Sequence, residues 1–415
     1  MGHKQLAPSN PAKSYPSYLS SLKLDGRAAK EADQPVLVRM QSKGAEQQLE
    51  KLAKSQKIID VIDNYGEQFA ELLLSRNAHL YRANYSVQVA SVKDMLKEHY
   101  GSTVHWKMGS WVYFPWSQRL VHILDQENFE ELRTIRNRDL ITAQEQQTLF
   151  NFEVACFGMS VGSASALALA ITGISRKIKL IDGAVISGSN LNRISTGVES
   201  VGLPKALVIG RQIYEMNPYS EVAYFDKITT GSAGDIFDKP WPLKLAIDEI
   251  DDLEMKIKIR VEAKKRHIPV LMATELGDTV MLDVERYDLE PDRPLFHGAI
   301  PGIEDMLGKK LENHREWMKH AVRIIDPVNM PIKMQESLLK IGTTVVTHPQ
   351  LGSTVMITGG VLAFAAKNIA LGNSLGSGRY VISLENQFLA DHKTRVHRRH
   401  HKKHTQIINK ALESM

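Results

Sequence analysis

Val154–Asp182 reads VACFGMSVGSASALALAITGISRKIKLID, and the order of residue types along it decides the fold. VACF is a short apolar run of the kind that forms a strand buried on both faces. Gly158-Met159-Ser160-Val161-Gly162-Ser163 follows as a glycine turn. Ala164–Thr172 is rich in Ala and Leu and reads as a helix, with Gly173 just past its end, where a left-handed residue is needed. KIKLID then forms a second strand that ends in Asp182. Strand, glycine turn, helix and a strand ending in an acid make up a βαβ unit of the dinucleotide-binding type.

Downstream the alternation continues. Lys205–Asn217 is expected to be helical, Glu221–Phe225 a strand, Leu243–Asp248 a strand ending in acids, Leu253–His267 a helix and Pro269–Ala273 a strand. Such alternation defines an α/β fold: a doubly wound, mostly parallel, Rossmann-like sheet with helices on both faces. Beyond Asp283 the stretch VERYDLEPDRPLFHG is extended, residues 303–341 are mixed helix, Leu351–Gly372 is a helix of small and apolar residues, and Arg379–Leu389 is a final strand. Small and polar residues interrupt Leu351–Gly372, so it is read as a closely packed helix rather than a membrane span. Upstream, Ala45–Asn77 is read as helical with a possible break at Tyr65-Gly66, Val87–His99 as a short amphipathic helix, and Trp106–Leu124 as two strands around a turn. The Trp residues, Tyr113 and Phe114 of that segment suit a small core better than a ligand platform. The expected organisation is a flexible lead (1–35), an α+β accessory domain (36–134), a nucleotide-binding domain (135–390) and a basic, His-rich tail (391–415).

Composition sets the outer bounds. The 415 residues are 43% hydrophobic and 24% charged, as in ordinary globular chains. The N-terminal MGHKQLAPSNPAKSYPSYLSS has no apolar core for a secretory signal, which points to the cytoplasm. A single cysteine, Cys156, excludes an internal disulfide framework and a Cys-based zinc cluster. The formal charge of +5 comes largely from HKTRVHRRHHKKH (His392–His404). That tail is expected to be a solvated helix, with contact to polyanions as the alternative.

The glycine turn lets backbone approach a phosphate, and the helix behind it offers free N–H groups and a positive dipole end. Gly158 and Gly162 suit that role, with the Ser163 hydroxyl alongside, and Asp182 is placed to accept from ribose hydroxyls. On their own these residues fit NAD(P) as well as ATP. The next segment favours ATP. Arg193, in SNLNRI (Ser189–Ile194), and Lys205, in GLPK (Gly202–Lys205), supply a forked cation and a point charge for triphosphate oxygens. Asp248, Asp251 and Asp252 lie at a strand's carboxyl end, where a carboxylate can hold Mg²⁺ bridging phosphates.

These stretches together resemble the ThiF/MoeB/HesA superfamily, relatives of the ubiquitin-activating enzymes, over roughly residues 135–375. GMSVGS, LID, SNLNRI, GLPK and EIDD stand where the family has its glycine turn, strand-end Asp, Asn-Leu-x-Arg, Pro-Lys and Thr-Asp-Asn; RNRDLITAQEQQTL resembles its N-terminal arm. GMSVGS, EIDDLEMK and DVERYDLEPDRPLFHG are also similar to a MoeY-like, molybdopterin-biosynthesis-labelled bacterial subgroup. The resemblance implies adenylylation of a carboxylate with ATP and Mg²⁺. Asp182 would hold ribose, Asn190 and Arg193 the phosphates, Lys205 the ATP phosphates and Asp251 the metal. Arg138, or Arg136, would be the arm arginine inserted into the partner of a homodimer. The pattern departs at Ser160, which replaces a central glycine, and at Asp252. It also has no cysteine in the crossover region (about 296–350), so a carboxylate substrate, either a protein or peptide C-terminus or a small acid, would be activated without a thioester. An NAD(P)/FAD oxidoreductase and a non-catalytic scaffold of the same fold are the competing readings.

Overall fold

The computed structural model describes residues 32–226, 233–308 and 314–413; the expected lead up to residue 31 lies outside them. Near the N-terminus, β1 (Val36–Arg39), α1 (Ala45–Ser55), β2 (Asp60–Asp63), α2 (Tyr65–Arg76), α3 (Tyr85–Tyr100), β3 (Ser110–Phe114) and β4 (Arg119–Ile123) build a sheet of order β1-β3-β4-β2. The helix expected over Ala45–Asn77 is thus two helices with an edge strand between them. Chain direction changes at Gln56, which is extended, and DVID pairs in parallel with β4. The adjacent β-branched Val61 and Ile62 favour an extended backbone, and pairing with β4 wins over the helical spacing on either side. Trp111, Tyr113 and Phe114 are buried, as a core rather than a platform.

After α4 (Gln126–Arg133) and α5 (Ala143–Phe150) the chain enters the large sheet: β5 (Val154–Phe157), α6 (Gly162–Thr172), β6 (Lys177–Ile181), α7 (Lys205–Met216), β7 (Glu221–Phe225), α8 (Ala233–Asp238), β8 (Leu245–Asp248), α9 (Leu253–Lys265), β9 (Val270–Glu275) and β10 (Thr279–Glu285). Then come α10 (His314–Ile325), α11 (Ile332–Leu338), α12 (Gly352–Ala370), β11 (Gly378–Ser383), α13 (Leu384–Phe388) and α14 (Arg395–Glu413). The strand order is β11-β10-β9-β8-β5-β6-β7. The five strands β7, β6, β5, β8 and β9 run parallel; β10 is antiparallel to β9, and β11 is antiparallel to β10. β10 was not anticipated: TVMLDVE is buried throughout and lacks the polar alternation that marks a half-exposed strand. β11 is shorter than expected because the Ser383 side chain accepts from Asn386 N and starts a helix.

Successive residues of β5 face opposite sides. Val154 and Cys156 join the core under α6, α7 and α12, whereas Ala155 and Phe157 join the core under α8 and α9. α12 packs tightly on α6, since a Cβ on Gly359 would lie 2.6 Å from Ala164 O. α12 is long and apolar enough to cross a membrane by composition, but Val355, Leu362 and Ala366 are buried against the sheet layer. The two sheets meet at Tyr219, which is buried with Val112, Phe114 and Ile123 and donates its hydroxyl to Leu124 O at 2.6 Å. Ala32 and Asp33, assigned to the flexible lead from sequence, are pinned: their carbonyls accept from Arg211 and from Tyr224 Oη. The tail is a helix docked on the protein, with Ile408 buried beside Met330 and Met334, and with its Arg and Lys residues from Lys393 to Lys403 exposed.

Candidate nucleotide site at the sheet switch point

Strand order reverses between β5 and β8, and the loops leaving these strands flank a crevice of the kind that holds ligands in open parallel sheets. Gly158 sits there with φ +89, and a Cβ would lie 2.4 Å from Glu249 O. Only glycine meets both constraints. Gly158→Ala should therefore cost on the order of 1–3 kcal/mol through strain and overpacking, read as a lowered urea midpoint, with nucleotide affinity falling alongside. At Gly162, opening α6, a Cβ would lie 3.3 Å from Glu249 Cβ. No side chain caps α6; Ala164 N donates to Val161 O, so the Gly162 and Ser163 N–H groups are the ones a helix start would offer to an anion. Ser163 does not offer its hydroxyl: it is buried and donates to Ser160 O at 2.7 Å, bracing the turn instead.

Asp182 ends β6 and holds two loops together. Its carboxylate accepts from Met159 N and from Ala184 N, each at 2.7 Å. Asn190 is buried and its amide oxygen accepts from Ser187 N at 3.0 Å, so it shapes the loop that carries Arg193. Arg193 reaches back to the glycine turn. Its Nε donates to Ser160 Oγ at 3.0 Å, and its Nη1 donates to Ser189 O and to Asn192 Oδ1. Ser160, the residue in place of a family glycine, is thus the anchor of Arg193. Burial lowers the Arg193 pKa, while the charges of Asp251 and Glu275 oppose that change. Lys205 starts α7; its backbone N donates to Ala184 O, and its ammonium has no ion pair among the described residues.

The three acids after β8 separate into three roles. Asp248 is buried and bonded to Lys256 and Arg260. Asp252 caps α9 by accepting from Met255 N at 3.0 Å. Asp251 is exposed, with no hydrogen bond or ion pair among the described residues, and faces Arg193 electrostatically. Among the three, Asp251 fits a cation held through one carboxylate and phosphate oxygens. Arg138 is not at this crevice's loops. It lies beyond α4, bonded to Glu131 Oε1 at 2.7 Å and about half exposed, while Arg136 is exposed.

Two residues were missed by the sequence reading. Glu249 accepts from Ala273 N at 2.9 Å, and Glu275 ends β9 almost fully buried. Burial and the charge of Glu275 push the Glu249 carboxyl up; burial pushes Glu275 up to about 7, with Asp251 acting in the same direction. The only sequence signal was an acid closing the otherwise apolar VLMATE run. A carboxyl whose folded pKa is raised favours the folded state fully at acid pH, and that contribution is lost as pH rises from the usual carboxylate range to about 7. Glu275→Gln should flatten this part of the melting-temperature profile, and an unchanged slope would refute the assignment. Cys156 is fully buried and burial pushes its thiol up, as for an inert core residue.

The parallel sheet, with a glycine turn and a strand-end carboxylate at its switch point, is of the Rossmann-like class. The chain belongs to the ThiF family, whose model matches residues 133–405. It is 37% identical over 272 residues (65% of this chain, 37% of the relative) to the uncharacterized protein MT1398 of Mycobacterium tuberculosis (strain CDC 1551 / Oshkosh). It is 30% identical over 207 residues (49% of this chain, 78% of the relative) to tRNA threonylcarbamoyladenosine dehydratase of Bacillus subtilis (strain 168). The chain therefore spans little more than a third of the mycobacterial relative. Among solved structures, E. coli MccB with ATP matches at 16% identity and a TM-score of 0.43, over 77% of this chain and 84% of that one.

Proposed function

We propose that the chain is an ATP- and Mg²⁺-dependent adenylyltransferase that activates a carboxylate without a catalytic cysteine. The observation that carries this reading is Arg193, seated on Ser160 of the glycine turn within the electrostatic reach of Asp251. A substrate carboxylate oxygen attacks the α-phosphorus of ATP and pyrophosphate leaves. Arg193 and Lys205 neutralise the charge that develops on the phosphates. The Gly158–Gly162 backbone and the α6 N-terminus cradle them, and Asp182 receives the ribose. Bound Mg²⁺ would supply charge neutralisation between phosphate oxygens, held by Asp251. With Cys156 sealed in β5, the activated acyl group passes to an external nucleophile or to one within the substrate itself.

The substrate class is a protein or peptide C-terminus or a small acid. The Bacillus relative's named nucleoside, threonylcarbamoyladenosine, carries a threonyl carboxylate and supports a carboxylate substrate. The MoeY-like subgroup rests on the quoted motifs alone. An oxidoreductase reading leaves Arg193 and Asp251 idle. Pyrophosphate exchange into ATP, screened over candidate acids and peptides, tests the proposal directly. A melting temperature raised by NAD(P)H and not by ATP with Mg²⁺ would reject it.

The active form is proposed to be a homodimer in the cytoplasm. An apolar groove lined by Ile357, Val361, Phe364 and Tyr380 lies along α12 and β11, and Phe364 is 59% exposed. Phe364→Glu should shift the chain to monomer in light scattering, and an unchanged mass would count against that interface. For Arg138 to enter a partner's site it must leave Glu131. The exposed cations of α14 are proposed to contact polyanions, and the small sheet to present the substrate.

A further inference from the structure

We propose that Asp63, His105 and His122 form a site for a divalent transition-metal ion of the zinc class, on the four-stranded sheet and outside the matched family region. The backbone brings the three together. Parallel register sets Asp63 directly beside His122, and the short turn His105–Lys107 lays His105 over the ends of β2 and β4. One ligand atom from each residue lies within 4.8 Å of the others. Asp63 Oδ1 is 2.9 Å from His122 Nδ1, and Asp63 Oδ2 is 3.0 Å from His105 Nε2. Donors bound tetrahedrally to one ion at about 2.0–2.2 Å sit roughly 3.3–3.6 Å apart, so the two Asp63–His contacts need to open by only about half an ångström to admit the ion.

The partners of the His122 ring carry the argument further. Its Nε2 lies 2.8 Å from Met108 O, which can only accept, so Nε2 is taken by the backbone and Nδ1 is the ring nitrogen turned toward Asp63 Oδ1 and His105, where an ion would displace the proton that otherwise bridges to the carboxylate. A ring N–H donated to a backbone carbonyl is the usual outer support of a ligating histidine. The ring is also held in place. It is stacked between Tyr65 (centroids 4.9 Å, 14°) and Trp111 (4.4 Å, 7°). Behind it, Gly109 is so tightly packed that a Cβ would lie 2.2 Å from Ile123 O. Asp63 and His105 are 43% and 40% exposed, which leaves a path for the ion and a position for water. Two imidazoles and one carboxylate suit zinc, cobalt or nickel rather than magnesium or calcium.

The rival on the same chain is the tail helix, where His400 and His404 nitrogens lie 3.1 Å apart. The test therefore uses the full chain carrying His400→Ala and His404→Ala, stripped with chelator. It is titrated with Zn²⁺ by calorimetry and with Co²⁺ by visible absorption. The expected result is one equivalent bound with a rise in melting temperature, a tetrahedral cobalt spectrum, and a loss of more than about 100-fold in affinity on His105→Ala or Asp63→Asn. Both substitutions fall on half-exposed side chains, so loss of fold does not confuse the readout. No binding in the tail-substituted chain, or binding that His105→Ala leaves unchanged, would overturn the proposal, with the second outcome meaning adventitious binding elsewhere. Because nucleotide binding is a separate readout, failure here leaves the adenylyltransferase reading standing.

Discussion

Arg193→Ala should slow ATP–pyrophosphate exchange by about 10²–10³-fold, the loss seen when one preorganised charged donor is removed from a transition state. The chain should stay folded. Arg193 is only partly buried, and the bonds it loses go to a serine hydroxyl, an asparagine side chain and one loop carbonyl. The effect should fall mainly on turnover, because charge on the transferred group grows between ground state and transition state. Arg193→Lys keeps the cation but loses the planar fork that spans Ser160 and Ser189, so it should recover part of the rate. Exchange within twofold of the unsubstituted chain in Arg193→Ala, with an unchanged melting temperature, would remove the phosphate role and with it the main support for the enzymatic reading.

The largest expected effect on stability lies a few ångströms behind the site. Arg260 is fully buried between Asp248 (Oδ2 to Nη1, 2.5 Å) and Glu285 (Oε2 to Nε, 2.6 Å), with its guanidinium 3.9 Å over the Phe296 ring. Glu285 also accepts from Tyr287 Oη and Phe296 N, so this charge network ties β8, α9, β10 and the following loop together. Arg260→Ala leaves two carboxylates in the interior without their shared counterion and should destabilise the chain by about 3–5 kcal/mol, measured by urea unfolding. The pH dependence should change as well. In the intact chain, burial alone would raise the Asp248 carboxyl, but Lys256 and Arg260 override it and hold it below its usual range. That contribution is present at neutral pH and lost as pH falls through the depressed value. Without Arg260 only Lys256 is left to offset burial, so less of that contribution remains to be lost and the gap between variant and parent should narrow on acidification. A gap that widens would show that the network is not what Arg260 supports.

The expected elements around Val154–Asp182 appear where the pattern placed them, and for a local reason. An apolar run, a glycine and an Ala/Leu run each dictate conformation through their own backbone and side-chain preferences. The misreadings share a different cause. DVID reads as part of a helix because its partner, β4, lies almost sixty residues away, and a strand's identity depends on that partner. Asp248, Asp251 and Asp252 stand within five residues and look alike in sequence. Lys256 and Arg260 claim the first, Met255 N claims the last, and only packing reveals which one is left facing Arg193.

By itself, then, the sequence determined the parallel α/β class, the glycine turn and the order of Arg193 and Lys205 behind it, because each is written in residues close along the chain. Tertiary structure alone decided that Ser160 anchors Arg193, that Glu249 and Glu275 share one crevice, and that Asp63 meets two histidines. Those contacts arise from strand adjacency and register, which juxtapose residues that no local preference connects.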